Sequence, residues 1–325
     1  MSLSCEKLRT ELPQKRKHLQ AVVHNDKVYI GSGYCENDEK SYELAAFCLN
    51  TNEWEQLPKS NTKWFAMAVY DNELVIISGK CRDETSCKRV ERFNEENQTW
   101  MWPDDITEMQ SARMGASATS LTYHLLVVGG WDDTRSRVDT VEVYDKHKRQ
   151  WFKAQPLPKL AAECKTALAN NVWFFMGGAN QYKAAYYASL GAVIKQAVPS
   201  VMEAPSDEAG TQPAATEEGG GDPTNSSGEL WKSLPNVPNE FCSAAILGGG
   251  LVSIGGSTRF FQNSKLIYAY NPHTNAWLKI GEMPEECCRA TAVTLNSSSV
   301  LVLGGVDRNK CLLSTMYKIN VLCNK

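Results

Sequence analysis

Several things are scarce in this 325-residue sequence, and each absence removes a class of function. No apolar run approaches the ~18 residues that a membrane-spanning helix needs. The first residues, MSLSCEKLRTELP, contain no apolar core of a signal peptide, so a cytoplasmic chain is expected. Sequons at Asn97, Asn225 and Asn296 mean little without secretion. Neither sign of charge dominates: 34 Lys and Arg against 37 Asp and Glu leave a net charge of -3. A global attraction to nucleic acid or to an anionic membrane is therefore not expected. The 11 cysteines are odd in number and irregularly spaced, and they include no C-x-x-C pair. That excludes the paired spacing of a zinc site, and reduced, mostly buried thiols are expected. The five histidines (His18, His24, His124, His147, His273) are scattered, and a lone strand histidine is more often core than ligand. There is no glycine-rich phosphate loop and no nucleophile elbow. The expectation is no catalytic residue, no metal and no cofactor.

What the sequence does have is repetition. A short apolar run ending in Gly-Gly or Ser-Gly occurs six times, with its last glycine at Gly33, Gly79, Gly130, Gly178, Gly256 and Gly305. Successive spacings are 46, 51, 48, 78 and 49 residues. After the glycines an aromatic stands seven residues before a tryptophan: Phe47 and Trp54, Phe93 and Trp100, Tyr144 and Trp151, Tyr270 and Trp277. In the fourth repeat about thirty extra residues separate Tyr187 from Trp231, and in the sixth no tryptophan follows Tyr317. Before the glycines lies a stretch of small residues such as AMAVYD or ATAVTL. It opens with Arg16 and Arg113, and with Arg289 one residue out of register.

This pattern reads as four strands per repeat. The small-residue strand is innermost, where strands crowd around an axis. The apolar run is a strand buried on both faces, which ends at glycines because backbones approach closely there. The third strand alternates, with Val141 and Val143 against Glu142 and Tyr144. The tryptophan opens the outer strand and seals neighbouring repeats. One such sheet cannot cover its own faces, so repeats stack into a ring.

The glycine pair, the spaced aromatic and tryptophan, and a period near ~50 residues resemble the kelch superfamily, over essentially the whole chain outside the insertion. The resemblance implies an all-β, six-bladed kelch β-propeller with four antiparallel strands per blade, a single domain over 1–325. Two departures are Ser32 and Ser78 in place of glycine, and a sixth repeat one strand short. The missing outer strand is expected from residues 5–13, pairing beside the strand that holds Tyr317. Residues 196–230 are rich in Pro, Gly, Ser, Thr and acidic side chains, with no Lys or Arg between Lys195 and Lys232. They read as a disordered acidic insertion within blade four.

Kelch adaptors generally bind partners on the face that carries the loops between second and third strands. Here those loops are 34–41, 80–88, 131–137, 179–184, 257–265 and 306–311. They are mildly basic and hold residue types enriched at interface hot spots: Arg82, Trp131, Arg135, Arg137, Tyr182, Arg259, Phe260, Phe261 and Arg308. Arg16 and Arg113 add charge between blades. Arginine forks pair carboxylates, so a protein partner offering an acidic peptide is expected, bound by a monomer. The resemblance also implies substrate recognition for a cullin-type ubiquitin ligase. Because the propeller begins within about fifteen residues of Met1, that role is expected to need a separate adaptor. Actin binding and a sugar-acid epimerase activity are the alternatives that other kelch propellers supply.

Overall fold

The computed structural model describes residues 2–177, 183–199, 230–258 and 262–322. Among them, strands form six four-stranded antiparallel sheets, each ordered from an inner to an outer strand. Blade one comprises Gln20–His24, Lys27–Gly31, Leu44–Cys48 and Glu53–Leu57. Blade three comprises Ser117–Leu121, His124–Val128, Val141–Asp145 and Gln150–Ala154. Blades two, four and five repeat the plan. The architecture is the six-bladed β-propeller that the repeats imply.

Hydrophobic packing lies between blades, one cluster per interface. Leu126 and Val128 of blade three meet Trp173 and Phe175 of blade four, for example, all essentially buried. Both faces of a blade are thus covered, which explains the continuous apolar second strands. It also corrects the alternation expected of the third strand. Glu142 and Tyr144 are as buried as Val141 and Val143, because the next blade covers the face that should meet water.

Tryptophan and glycine join the blades. In blades two to five the outer-strand indole N–H reaches back to a carbonyl of the preceding blade, for example Trp100 to Pro58 at 2.9 Å, Trp151 to Thr107 at 2.8 Å and Trp277 to Pro235 at 3.0 Å, whereas Trp54 of blade one makes no such bond. The indole also stacks on its cross-strand aromatic, with Phe47 and Trp54 centroids 5.1 Å apart. At Gly129, φ is +63° and an added Cβ would lie 2.4 Å from the Ala161 carbonyl oxygen of blade four. Ser32 and Ser78 take that place in blades one and two with φ of 59°.

The ring closes as expected, with a shift in register. Ser2–Lys7 is the outer strand of blade six and pairs with Met316–Leu322, Cys5 opposite Ile319 and Lys7 opposite Tyr317. The strand therefore starts before residue 5 and ends before residue 13. Leu12 follows it as a buried cap whose N–H meets the Ser314 carbonyl at 2.8 Å. Ile319, two residues after Tyr317, holds the aromatic position, and Cys5 stands where other blades carry tryptophan. In blade four, Ala188 holds that position, and Trp173 on the second strand fills the space against Trp231, centroids 5.7 Å apart.

The extra segment of blade four opens ahead of residue 196, and it opens on a helix. That helix, Leu190–Ala197, continues from the third strand of blade four and buries Leu190, Val193 and Ala197, spaced to share one face, against the cluster between blades three and four. Most of the insertion lies outside the described residues.

Candidate functional site

Every blade enters its inner strand through one residue with left-handed backbone, and these residues ring the mouth of the central channel. They are His18, Trp64, Gly115, Glu163, Phe241 and Arg289, with φ of 55°, 61°, 64°, 57°, 52° and 57°. Their backbones bond from blade to blade. His18 donates to the Arg289 carbonyl (2.9 Å), Gly115 to Trp64 (2.8 Å), Glu163 to Gly115 (2.9 Å) and Arg289 to Phe241 (3.0 Å). A left-handed conformation strains residues other than glycine. Here it aims five side chains at the loop face around one opening.

Those side chains and the residues beside them build an arc of alternating rings and cations. Phe241, His18, Tyr34, Trp64 and Trp131 follow one another with centroid distances of 6.4, 5.9, 5.8 and 6.2 Å. Arg289 lies 4.5 Å over Phe241, Lys40 3.5 Å over Trp64, and Arg137 5.2 Å over Trp131. Tyr34 donates its hydroxyl to Glu163 at 2.6 Å across the opening. Lys165, on the inner strand Lys165–Ala169, reaches across the channel to donate to Thr291 Oγ1 at 3.0 Å.

The electrostatics are those of crowded cations. Burial, then Lys80 and Lys63, push the Lys40 amine down to about 8. Burial brings Lys165 to about 8 as well, against the opposing pull of Glu163. His18 is held well below its usual range by burial and by Lys165, Arg289 and Lys17, so its imidazole is neutral at pH 7. Glu84, bonded by both Lys63 and Lys80, falls to about 2. Positive charge gathered beside aromatic faces favours anionic or π-rich ligand groups.

Two of the concavities along the arc bear on binding. A cleft of about 860 Å³ between blades five, six and one is bordered by Lys17, Phe241, Arg289, Arg308 and Lys310, with Glu36 and Asp307 opposing them. A smaller cavity of about 300 Å³ over blades one to three lies among Lys40, Trp64, Lys80, Met114, Trp131 and Arg135.

The sequence-predicted residues divide into three groups. Trp131, Arg135 and Arg137 belong to the arc, Arg308 borders the larger cleft, and Arg82 is exposed on its loop farther out. Tyr182, Arg259, Phe260 and Phe261 lie outside the described residues. Arg16 and Arg113 are corrected: they are 3% and 0% exposed and cannot meet a partner. Arg16 donates to the carbonyls of Ser32 (3.3 Å) and Glu43 (2.8 Å). Arg113 donates to those of Gly129 (3.3 Å) and Thr140 (3.0 Å) and pairs with buried Glu142. Asn239 does the same for Gly255 (2.9 Å) in blade five. The position serves the tight turn at the glycines, whose buried carbonyl needs a donor.

His18, Tyr34, Lys40, Trp64, Phe241 and Arg289 were not foreseen as site residues. For His18, Trp64, Phe241 and Arg289 the signal was present: the ring position stands fifteen residues before the second glycine in five repeats. In the sixth it stands sixteen before, because a bulge between Thr294 and Asn296 lengthens that hairpin. Arg289 consequently matches His18 rather than Arg16. Among the described residues, no group of three or more His, Cys, Asp or Glu could hold a metal ion, and no helix is long and apolar enough to cross a membrane.

Comparison with known proteins agrees with this geometry. A family model described as the KLHDC2/KLHL20/DRC7 Kelch-repeats domain matches residues 19–190, just over half of the chain. Kelch-like protein 21 of Danio rerio is 28% identical over 121 residues, which cover 37% of this chain and 19% of that protein. Kelch-like protein 25 of Xenopus tropicalis is 22% identical over 187 residues, 54% of this chain and 31% of that one. Kelch repeat protein M-T8 of Myxoma virus is 20% identical over 300 residues, 92% of this chain and 51% of its own length. The chain thus spans about half or less of these relatives. The solved structure of YjhT superimposes over 97% of both chains with a TM-score of 0.71 at 14% identity, a likeness of fold.

Proposed function

From the premise that the chain belongs to the kelch-repeat family, we propose that it is a protein-interaction module that docks a partner on its loop face, around the mouth of the channel. The arc of rings and cations carries this reading. Large rings and arginines are the residue types that dominate binding energy at protein interfaces, and here they adjoin one another on a rigid frame. A surplus of lysine and arginine along the arc, in a chain of net charge -3, favours an acidic peptide or acidic patch as the docked element. The narrower form of the reading is that the docked protein is a substrate presented to a ubiquitin ligase through a separate adaptor.

The test is cross-linking capture of partners by the wild-type chain and by the triple variant Arg82→Glu, Arg135→Glu, Arg308→Glu. All three side chains are exposed, so the fold should persist. Loss of the captured proteins from the variant supports docking on this face, and their identities then separate ligase substrates from cytoskeletal proteins. The same proteins captured equally by both chains would remove the loop face from consideration.

A further inference from the structure

The smaller of the two concavities has a composition that selects among docked elements. Its floor is apolar: the indoles of Trp64 and Trp131, tilted 36° to one another, and the buried side chain of Met114. Its rim is cationic, with Lys40, Lys80 and Arg135. The opening exists because blade three places glycine on the ring. A Cβ on Gly115 would lie 2.8 Å from Trp64 Nε1 and 3.2 Å from Trp131 Cδ1, so any larger residue there would displace both indoles.

The rim charges outnumber their partners. Lys63 and Lys80 share one carboxylate, Glu84. Lys40 and Arg135 have no ion-pair partner among the described residues. Lys40 instead lies over the Trp64 ring, 3.5 Å from its centroid. A rim with spare positive charge around an apolar floor complements a segment with the reverse pattern.

We propose that this cavity is an anchor subsite that takes one aromatic side chain from the partner, drawn from a segment with acidic residues on both sides of that aromatic. The inference rests on the docking reading above and supplies the chemistry of the docked segment. About 300 Å³ admits a single ring and not a pair, so one anchor occupies it. The ring packs against the two indoles and the Met114 thioether, contacts that favour aromatic over aliphatic anchors. Carboxylates before and after the anchor meet Lys40, Lys80 and Arg135 around the rim. Their arrival relieves the crowding of like charges that depresses Lys40.

The experiment titrates the full chain with fluorescein-labelled, end-blocked peptides Gly-Ser-Asp-Glu-Φ-Asp-Glu-Ser-Gly, where Φ is Phe, Trp, Leu or Ala, and reads anisotropy. The Phe and Trp peptides are expected to bind at least about tenfold more tightly than the Ala peptide, the size of an interface hot spot. Raising salt from about 50 to about 300 mM should weaken all four. Trp64→Gly removes one wall while keeping a left-handed backbone that glycine adopts freely, as blade three already does, so this variant stays folded. It is expected to erase the preference for an aromatic. Lys40→Glu with Arg135→Glu is expected to weaken every peptide by about tenfold or more, with no change of preference. Equal binding of the Phe and Ala peptides by the wild type, or an unchanged preference in Trp64→Gly, overturns the anchor subsite. If no peptide binds but partner capture still depends on the loop face, the anchor fails and the docking reading survives. If peptides bind as expected while capture ignores the face, the docking reading fails instead.

Discussion

Replacing Arg113 by alanine should damage the fold and leave the loop face intact, the reverse of what an interface arginine does. The guanidinium is fully buried, donates to the carbonyls of Gly129 and Thr140, and pairs with Glu142, itself fully buried. The Glu142 carboxylate also accepts the backbone N–H groups of Gln110 (2.7 Å) and Ser111 (3.2 Å). Without the arginine, a carboxylate is stranded in the interior beside two carbonyls short of a donor. Removing one member of a buried pair costs about 3–5 kcal/mol. At roughly 1.5 °C per kcal/mol for a chain of 325 residues, the melting temperature should fall by about 6 °C. Removing both charges together strands neither, so Arg113→Met with Glu142→Leu should recover most of that loss. Thermal melts and urea titrations of the wild type, the single variant and the double variant read the difference. Partner capture well below the transition should match the wild type for all three. An Arg113→Ala chain that melts within about 2 °C of wild type, yet captures fewer partners, would refute the reasoning and return this arginine to the binding surface.

Three further outcomes follow from the same structure. Gly129→Ala puts a Cβ 2.4 Å from the Ala161 carbonyl oxygen on a left-handed backbone and should cost about 3 kcal/mol, whereas Ser78→Gly relieves a left-handed residue with an unpartnered buried hydroxyl and should gain about 1 kcal/mol; paired urea melts check the opposite signs. Deleting residues 1–12 removes the closing strand, bares the edge of Met316–Leu322 and takes away Leu3, which covers Gly281 of blade five; early melting and concentration-dependent association on gel filtration are expected, and a full-length melting temperature would refute the closure. Lys165 holds fewer protons folded than unfolded between its native value of about 8 and its ordinary 10.5, so its burial penalty is complete below pH 8 and fades as pH rises through that window. Channel water reduces the penalty, and Lys165→Met should therefore be about 1 kcal/mol more stable than wild type at pH 7, with the two stability curves converging by about pH 10.5.

What was legible in the sequence and what was not divide along physical lines. The glycine pairs, tryptophans and apolar second strands are demanded by close backbone approach and interblade burial, which every blade must satisfy, so they recur and can be counted. The site residues differ from blade to blade by necessity, because a ring of six identical side chains would have no selectivity. His18, Trp64, Gly115, Glu163, Phe241 and Arg289 share an offset from the glycines but no residue type, and a search by type passes over them. Arg16 and Arg113 misled for the opposite reason. Arginine is enriched both at interfaces and wherever a buried carbonyl needs a strong donor, and only burial separates the two. The register errors at Tyr187, Tyr317 and Arg289 each fall in a blade that breaks the count: by the insertion, by the borrowed closing strand, and by the bulge at Thr294.

The left-handed ring links stability to recognition in a way that limits how the site can change. A residue with φ near +60° is strained unless it is glycine, and five of the six ring positions are not. Had the ring served the fold alone, glycine at each position would be the more stable choice. Blade three shows that glycine is compatible with the turn and with its bonds to blades two and four. The side chains at the other five places must then be retained for what they present at the channel mouth, or for contacts among themselves such as Tyr34 with Trp64 and Arg289 with Phe241. Glycine substitutions separate these two causes. At a position kept for recognition, glycine leaves the melting temperature level or raises it while partner binding falls. At a position kept for packing, glycine lowers the melting temperature and binding together. Trp64 and Arg289 are expected in the first class, since both are partly open at the face. His18, neutral among three cations and packed edge-on against Tyr34 and Phe241, is expected in the second.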